Sequence, residues 1–173
     1  MENFSNSVVL PENLPEIHQE EFNSLSKNYL KIILIRLAIF ALFVTTGILA
    51  FIFFAGEEAP FFVKLIMICV IAILLIYLVV ITILGFAKKG YMVREKDISF
   101  KRGLIVYKQT SVPFNRIQHV EVNQGVLEKI YNLSSLKIYT AGGTSSDLTI
   151  PGIAIETAHN LKAFLSEKIS EHE

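Results

Sequence analysis

Four histidines, one cysteine and a glycine-rich polar turn are the residues of this 173-residue sequence whose types invite chemistry. His18, His119, His159 and His172 show no metal-ligand spacing such as H-E-x-x-H and no second ligand cluster. Cys69 stands alone, which excludes an intramolecular disulfide framework and a multi-cysteine zinc site. No G-x-S-x-G elbow, P-loop or dinucleotide fingerprint is present. His119 falls in a strand-like run and reads as a structural imidazole. The stretch Thr140-Ala141-Gly142-Gly143-Thr144-Ser145-Ser146 offers amides and hydroxyls to an anion. A phosphate cradle, however, usually opens onto a helix N-terminus, and a hairpin at this place needs glycine for its own backbone, so the expectation is a turn. No catalytic, cofactor-binding or metal-ligating residue is assigned.

Four side chains remain as candidate contacts with a partner or a lipid: Arg116, Gln118, Lys101 and Arg102. Arg116 shares a strand motif with Gln118, and its planar fork suits a carboxylate or a lipid phosphate. The plainer expectation for Arg116 is a salt bridge within its own domain, to Glu121 or Glu128. Lys101 and Arg102 follow a strand and, with Lys88, Lys89, Arg94 and Lys96, are placed to face anionic headgroups. Each cation near such a surface contributes about 1 kcal/mol. The plainer reading is solvated tether residues.

The elements that must position these residues are set by an uneven distribution of apolar side chains. The sequence is 52% hydrophobic and 18% charged, with zero formal net charge. Soluble domains are about 45–50% apolar and about 25% charged. The excess lies in two uncharged runs, Leu37–Gly56 and Leu65–Ala87. About 20 helical residues cross the roughly 30 Å hydrocarbon core of a bilayer, so these are expected to be transmembrane helices, spanning about 32–56 and 63–87. The segment before them is net acidic, unlike the basic n-region of a cleaved signal peptide, and a retained signal anchor is expected. Lys27, Lys31 and Arg36 precede the first span, Lys88, Lys89 and Arg94 follow the second, and the connecting loop carries only Lys64. By the positive-inside rule both termini lie in the cytoplasm. Apart from Arg36 and Lys64 at their edges, the spans contain no acidic or basic side chain, which gives a proton or ion pathway little support.

Residues 1–31 read as a cytoplasmic tail. It is polar and proline-interrupted up to about Leu14. Over Phe22, Leu25 and Tyr29 helical spacing fits either a short interfacial helix or an extension of the first span. Residues 32–87 form the membrane hairpin and residues 88–173 the soluble domain. That domain is mildly basic and begins with period-two alternation: Tyr91 and Val93, then Ile98 and Phe100, a turn at Arg102-Gly103, and a strand at Leu104–Tyr107. Pro113 marks a bend or sheet edge. Ile117–Val122 is a further strand, and Val126–Tyr131 a single helical turn or a loop. Leu136–Thr140 and Asp147–Ile150 form a hairpin. After Pro151-Gly152 the period changes, and Ile155, Ala158, Leu161, Leu165 and Ile169 mark one amphipathic helix. Short antiparallel strands closed by one helix make a small sandwich or open barrel.

The run Val112-Pro113-Phe114-Asn115-Arg116-Ile117-Gln118-His119-Val120, then Gly125 with Leu127-Glu128, then Leu136–Gly143 and Ile150-Pro151-Gly152, resembles the bacterial pleckstrin-homology-like domain of small membrane proteins, in the YdbS-like group that places two transmembrane helices before the domain. The resemblance covers roughly residues 20–173. It implies two roughly orthogonal antiparallel sheets of about seven strands with one C-terminal capping helix, and the inner (cytoplasmic) membrane of a bacterium. It carries no catalytic residues. Asn132 stands where a glycine is expected, and asparagine tolerates the left-handed conformation.

The functional expectation is a non-enzymatic, membrane-anchored interaction module, without cofactors and without nucleic acid, that docks a membrane-protein partner at the cytoplasmic face. An anionic-lipid-binding or envelope-stress module is the alternative, and a transporter or channel subunit the third. Gly47 and Gly85 are isolated and no G-x-x-x-G motif specifies a helix face, so a homo-oligomer is left open.

Overall fold

The computed structural model describes residues 22–54, 60–141 and 147–170. Strand β1 (Asn23–Ser24) leads into the long helix α1 (Lys27–Phe54), and α2 (Phe61–Phe86) returns antiparallel to it. Strands β2 (Gly90–Val93), β3 (Asp97–Arg102) and β4 (Lys108–Pro113) follow. A 3-10 turn over Phe114–Arg116 leads to β5 (Ile117–Asn123), α3 (Val126–Ile130), β6 (Leu133–Thr140), β7 (Leu148–Ala154) and α4 (Ile155–Ser170). The proline-interrupted tail, the glycine-rich turn at 142–146, His18 and His172 lie outside the described residues.

Helices α1 and α2 are apolar on every side because lipid, not a protein core, is the solvent their composition fits; in neither is the most apolar window buried within the chain. Thr45, mid-helix in α1, turns its hydroxyl back to the Ala41 carbonyl at 2.8 Å, which satisfies it without water. At 1.5 Å per residue the 28 residues of α1 reach about 42 Å, some 12 Å more than a hydrocarbon core requires. The surplus is the N-terminal end. There Leu25, Tyr29 and Ile32 are buried with the β domain instead of facing lipid. Of Phe22, Leu25 and Tyr29 only Tyr29 is helical: Phe22 and Leu25 flank strand β1, and α1 runs unbroken from Lys27 into the span.

Two antiparallel sheets enclose the core, in the orders β1-β2-β3-β4 and β5-β6-β7. Ile98, Phe100 and Val112 from the first meet Val120, Leu136, Ile138 and Ile150 from the second. Ala158 and Leu165 of α4 close one end, as the apolar stripe of that helix requires. The seven strands of the expected fold are present, but the seventh comes from the segment ahead of the first span: Asn23 pairs with Tyr91 and Ser24 with Gly90.

Two local expectations are corrected. Leu104–Tyr107 is not a strand. Gly103, at φ +124°, begins a tight loop, and β4 starts only at Lys108, opposite Arg102. Four apolar residues in a row carry no period-two signal of their own, and nothing in them distinguishes a strand from an apolar loop. Strand β7 also does not end at Pro151-Gly152. It continues to Ala154 through a bulge, with Gly152 at φ +66°. Asn132 adopts φ +51°, as its place before β6 implied, and its carbonyl accepts the Ile155 amide at 3.1 Å.

Candidate functional site

The residues that distinguish this domain gather where the two long helices enter it. At the α1 entrance, Tyr29 lies on Gly152: a β-carbon built there would come within 2.2 Å of the tyrosine Cγ. Only glycine permits this approach, and glycine adopts the φ of +66° without strain. The Ser26 amide donates to the Gly152 carbonyl at 3.0 Å, and the Ser26 carbonyl accepts the Tyr29 amide at 2.9 Å. One helical turn beyond Ile32, Arg36 reaches Glu128 at 3.8 Å. Glu128 is buried, and its second carboxylate oxygen accepts the Gly125 amide at 2.6 Å, capping the short α3. Arg36 thereby forms an ion pair that ties the first span to α3.

The α2 entrance is built differently. Only Ala87, Lys88 and Lys89 separate α2 from β2, and the amides of Lys88 and Lys89 still donate to Gly85 and Phe86 at 3.3 and 3.0 Å. Because β1 and β2 pair, the chain segments entering and leaving the hairpin are joined by backbone hydrogen bonds in one sheet.

The basic candidates divide. Lys101 and Arg102 lie together at the α2 end of the first sheet. The Lys101 ammonium sits 3.9 Å over the Phe22 ring, and Arg102 is in register with Lys108. Burial, then the nearby Arg102 charge, pushes the Lys89 ammonium below the ordinary lysine range. Arg102 and Lys108 also border a cleft of about 200 Å³ with Thr110, Asp147 and Thr149. Arg94 and Lys96 are at the opposite end of β2 and β3, and Arg94 is held by Asp97 through two bonds of 2.7 and 2.9 Å. One set of headgroup-facing cations is thus split by the topology, since β3 runs between the two ends.

Arg116 and Gln118 are both exposed, and they are not brought to Lys101 and Arg102. From Lys108 to Pro113 strand β4 covers roughly 17 Å at about 3.4 Å per residue, and the 3-10 turn beyond it abuts Lys96, whose carbonyl accepts the Phe114 amide at 3.0 Å. The expected intradomain salt bridge of Arg116 is not formed among the described residues. Glu128 is taken by Arg36, and Glu121 accepts the Tyr139 hydroxyl at 3.0 Å with His119 at 3.7 Å. His119 stacks on Tyr139 with ring centroids 4.2 Å apart, a structural use of the imidazole. The Glu121 hydrogen bond, with lesser help from partial burial and the carboxylate charge, pushes the Tyr139 phenol above its ordinary value. Sequence reasoning missed the Tyr29–Gly152 seat and the Arg36–Glu128 pair. Sequence marks Pro151-Gly152 only as the place where the period changes, and no local signal connects Gly152 to a helix more than a hundred residues earlier.

A family model described as a bacterial PH domain matches residues 32–169. The chain is 40% identical over 76 residues to the UPF0699 transmembrane protein YdbS of Bacillus subtilis (strain 168), a stretch covering 44% of this chain and 46% of that protein. It is 27% identical over 99 residues to the UPF0699 transmembrane protein YdbT of the same organism, covering 57% of this chain and 20% of that protein. The similarity thus spans less than half the length of either relative. No solved structure matches.

Proposed function

The chain belongs to the bacterial PH domain family, and from that premise we propose that it is a non-enzymatic, membrane-anchored interaction module whose domain, on the cytoplasmic face, docks a membrane-protein partner along the β4–β5 edge. The observation that carries this reading is the burial of Leu25, Tyr29 and Ile32 in the domain core. A domain gripped by its own span has a fixed height and orientation against the membrane, as a surface presented to a neighbouring membrane protein requires. Two spans already supply membrane attachment, so the domain is not needed for that purpose.

Strands β4 and β5 each end the hydrogen-bonded order of their sheets, as β1 and β7 do, and a strand at a sheet edge is a template for a partner strand. Exposed Arg116 and Gln118 lie beside that edge. A non-enzymatic role is supported by the structural occupation of the titratable groups: Glu128 caps α3, Asp97 holds Arg94, Asp147 accepts from Thr140, and His119 stacks on Tyr139. The test is a photocrosslinking side chain at Gln118 in the full chain, in native membranes. A discrete adduct with a membrane protein, absent when the label is moved to Glu156 on α4, is expected. Adducts indistinguishable between the two positions overturn the reading.

The cations Lys101 and Arg102, beside Lys89 and Lys108, favour a second reading in which this end of the domain contacts anionic headgroups. Charge reversal of both in the full chain would then abolish enrichment of anionic over neutral lipid around the protein, with strong salt dependence. The cleft between α1 and α2, lined by Thr45, Ile48, Leu49, Ile68, Ile71, Ala72 and Leu75, gives a transport reading no polar path.

A further inference from the structure

Outside the two long helices, large apolar side chains with substantial exposure occur in two places among the described residues, apart from Phe164, which packs edge-on against Phe114. One is the β3–β4 loop, where Ile105 and Val106 are each 77% exposed and Tyr107 65%. The other is α3, where Val126 is 80% and Ile130 69% exposed, one helical turn apart on the same face. We infer that the β3–β4 loop and α3 are two apolar wedges immersed in the bilayer beside the helix pair, so that lipid rather than water covers them.

Position carries the assignment. The loop stands against the last turns of α2: a β-carbon at Gly85 would lie 3.9 Å from the Leu104 Cβ, and Ile81, Gly85 and Lys89 share one groove of about 310 Å³ with Arg102–Val106. Ile81 and Gly85 belong to an uncharged membrane span, so the loop continues an apolar surface already in lipid. Helix α3 stands in the same relation to α1, through Glu128 and Arg36 at the edge of the first uncharged run.

The loop is also built to project. Gly103 takes φ +124°, and a β-carbon there would meet the Val106 carbonyl oxygen at 1.9 Å, so the turn is tight and keeps Ile105 and Val106 at its tip. Tyr107 follows with its hydroxyl on Gln109, an aromatic side chain with a polar end, as the membrane interface favours. Lys88, Lys89, Arg102 and Lys108 surround the loop, and none forms an ion pair among the described residues. An apolar tip with a cationic collar matches the acyl and headgroup layers of one leaflet.

This inference does not depend on a docked partner, and because the wedge is apolar it does not require anionic lipid. The test uses the full chain with Cys69→Ser, reconstituted in phosphatidylcholine nanodiscs containing lipid with a quencher high on the acyl chain. An environment-sensitive fluorophore is placed singly at Ile105, Val106 or Ile130, at Ile83 as the lipid-exposed reference, and at His159 as the water-exposed one. Blue-shifted emission and quenching severalfold above His159, approaching Ile83 and persisting in high salt, are the expected result at all three sites. Ile105→Asp should abolish quenching of the label at Val106, whereas Ile105→Leu should keep it. Water-like emission and no quenching at either wedge overturn the inference. Blue-shifted emission without lipid quenching, rising with protein-to-lipid ratio, would place a second copy on the wedge and also overturn it.

Discussion

The two entrances to the β domain attach to it by different physics. At α1 the grip is made by side chains: Leu25, Tyr29 and Ile32 lie in the core, Gly152 receives Tyr29, and Arg36 meets Glu128. At α2 the tie is mainly covalent, with three residues between helix and strand, and Phe86 reaches the core only at its margin. The α1 end gives its first turns to the domain core, through Tyr29 and Ile32, whereas α2 has no buried residue. The contrast teaches that the hairpin is not a tether. It is inserted between two paired strands of one sheet, and its first helix serves as a core element of the fold it anchors.

The comparison breaks most visibly at Gly152. Gly152→Ala adds a methyl group inside van der Waals reach of Tyr29 and forces an L residue to φ +66°. Backbone strain of about 1–3 kcal/mol and overpacking of about 1–3 kcal/mol predict a loss of about 3 kcal/mol or more. Thermal unfolding of the detergent-solubilised chain should show it, together with new proteolytic cleavage between residues 24 and 32.

Ile32→Ala should follow, at about 2–5 kcal/mol for a fully buried isoleucine. Lys88→Ala, its counterpart at α2, should change stability by less than about 0.5 kcal/mol. Equal effects at the two entrances would erase the distinction.

Glu128→Ala removes both a helix cap and a buried partner for Arg36, and about 1–2 kcal/mol should be lost. Arg36→Ala should cost less than about 1 kcal/mol, because Arg36 is half exposed and its ion pair screened. A double-mutant cycle in denaturant unfolding separates the cap from the pair.

The smallest effect lies where β6 ends and β7 begins. Thr140 donates its hydroxyl and amide to Asp147 at 2.6 and 2.9 Å, and these bonds hold the carboxyl below the ordinary carboxylate range. A depressed folded value means that the stabilisation is complete above the unfolded pKa of about 3.9 and is lost as pH falls through the lower folded value. Protection of the Thr140 amide relative to its intrinsic exchange rate should therefore fall below about pH 4, and Asp147→Asn should remove that pH dependence while leaving protection near Tyr29 unchanged.

Much of this architecture was legible because its signals are local. Uncharged runs long enough to cross a bilayer, the apolar stripe of α4 and the alternation in β2, β3 and β6 each lie within one element. Asn132 announced a left-handed turn by residue type alone. Leu104–Tyr107 misled because four apolar neighbours look alike whether they face a core or a bilayer; their place beside α2 decides which. The spacing of Phe22, Leu25 and Tyr29 left an interfacial helix and an extension of the first span open, since it shows that one face is apolar without saying what covers it; α1 extends back to Lys27. Among the candidate contacts, Lys101 and Arg102 stay together at one end of β3 simply because they are consecutive. The exclusion of Arg94 and Lys96 depended on the direction in which β2 and β3 run.

The sequence by itself determined the class of the molecule: two apolar helices, a strand-rich domain and a capping helix, each set by length, periodicity and turn chemistry over a few residues. Only the tertiary structure decided that the first helix belongs to the domain core. That decision rests on contacts between residues 25–32 and Gly152. Burial and close approach across so long a stretch of chain are properties of the packed fold, and no local pattern encodes them.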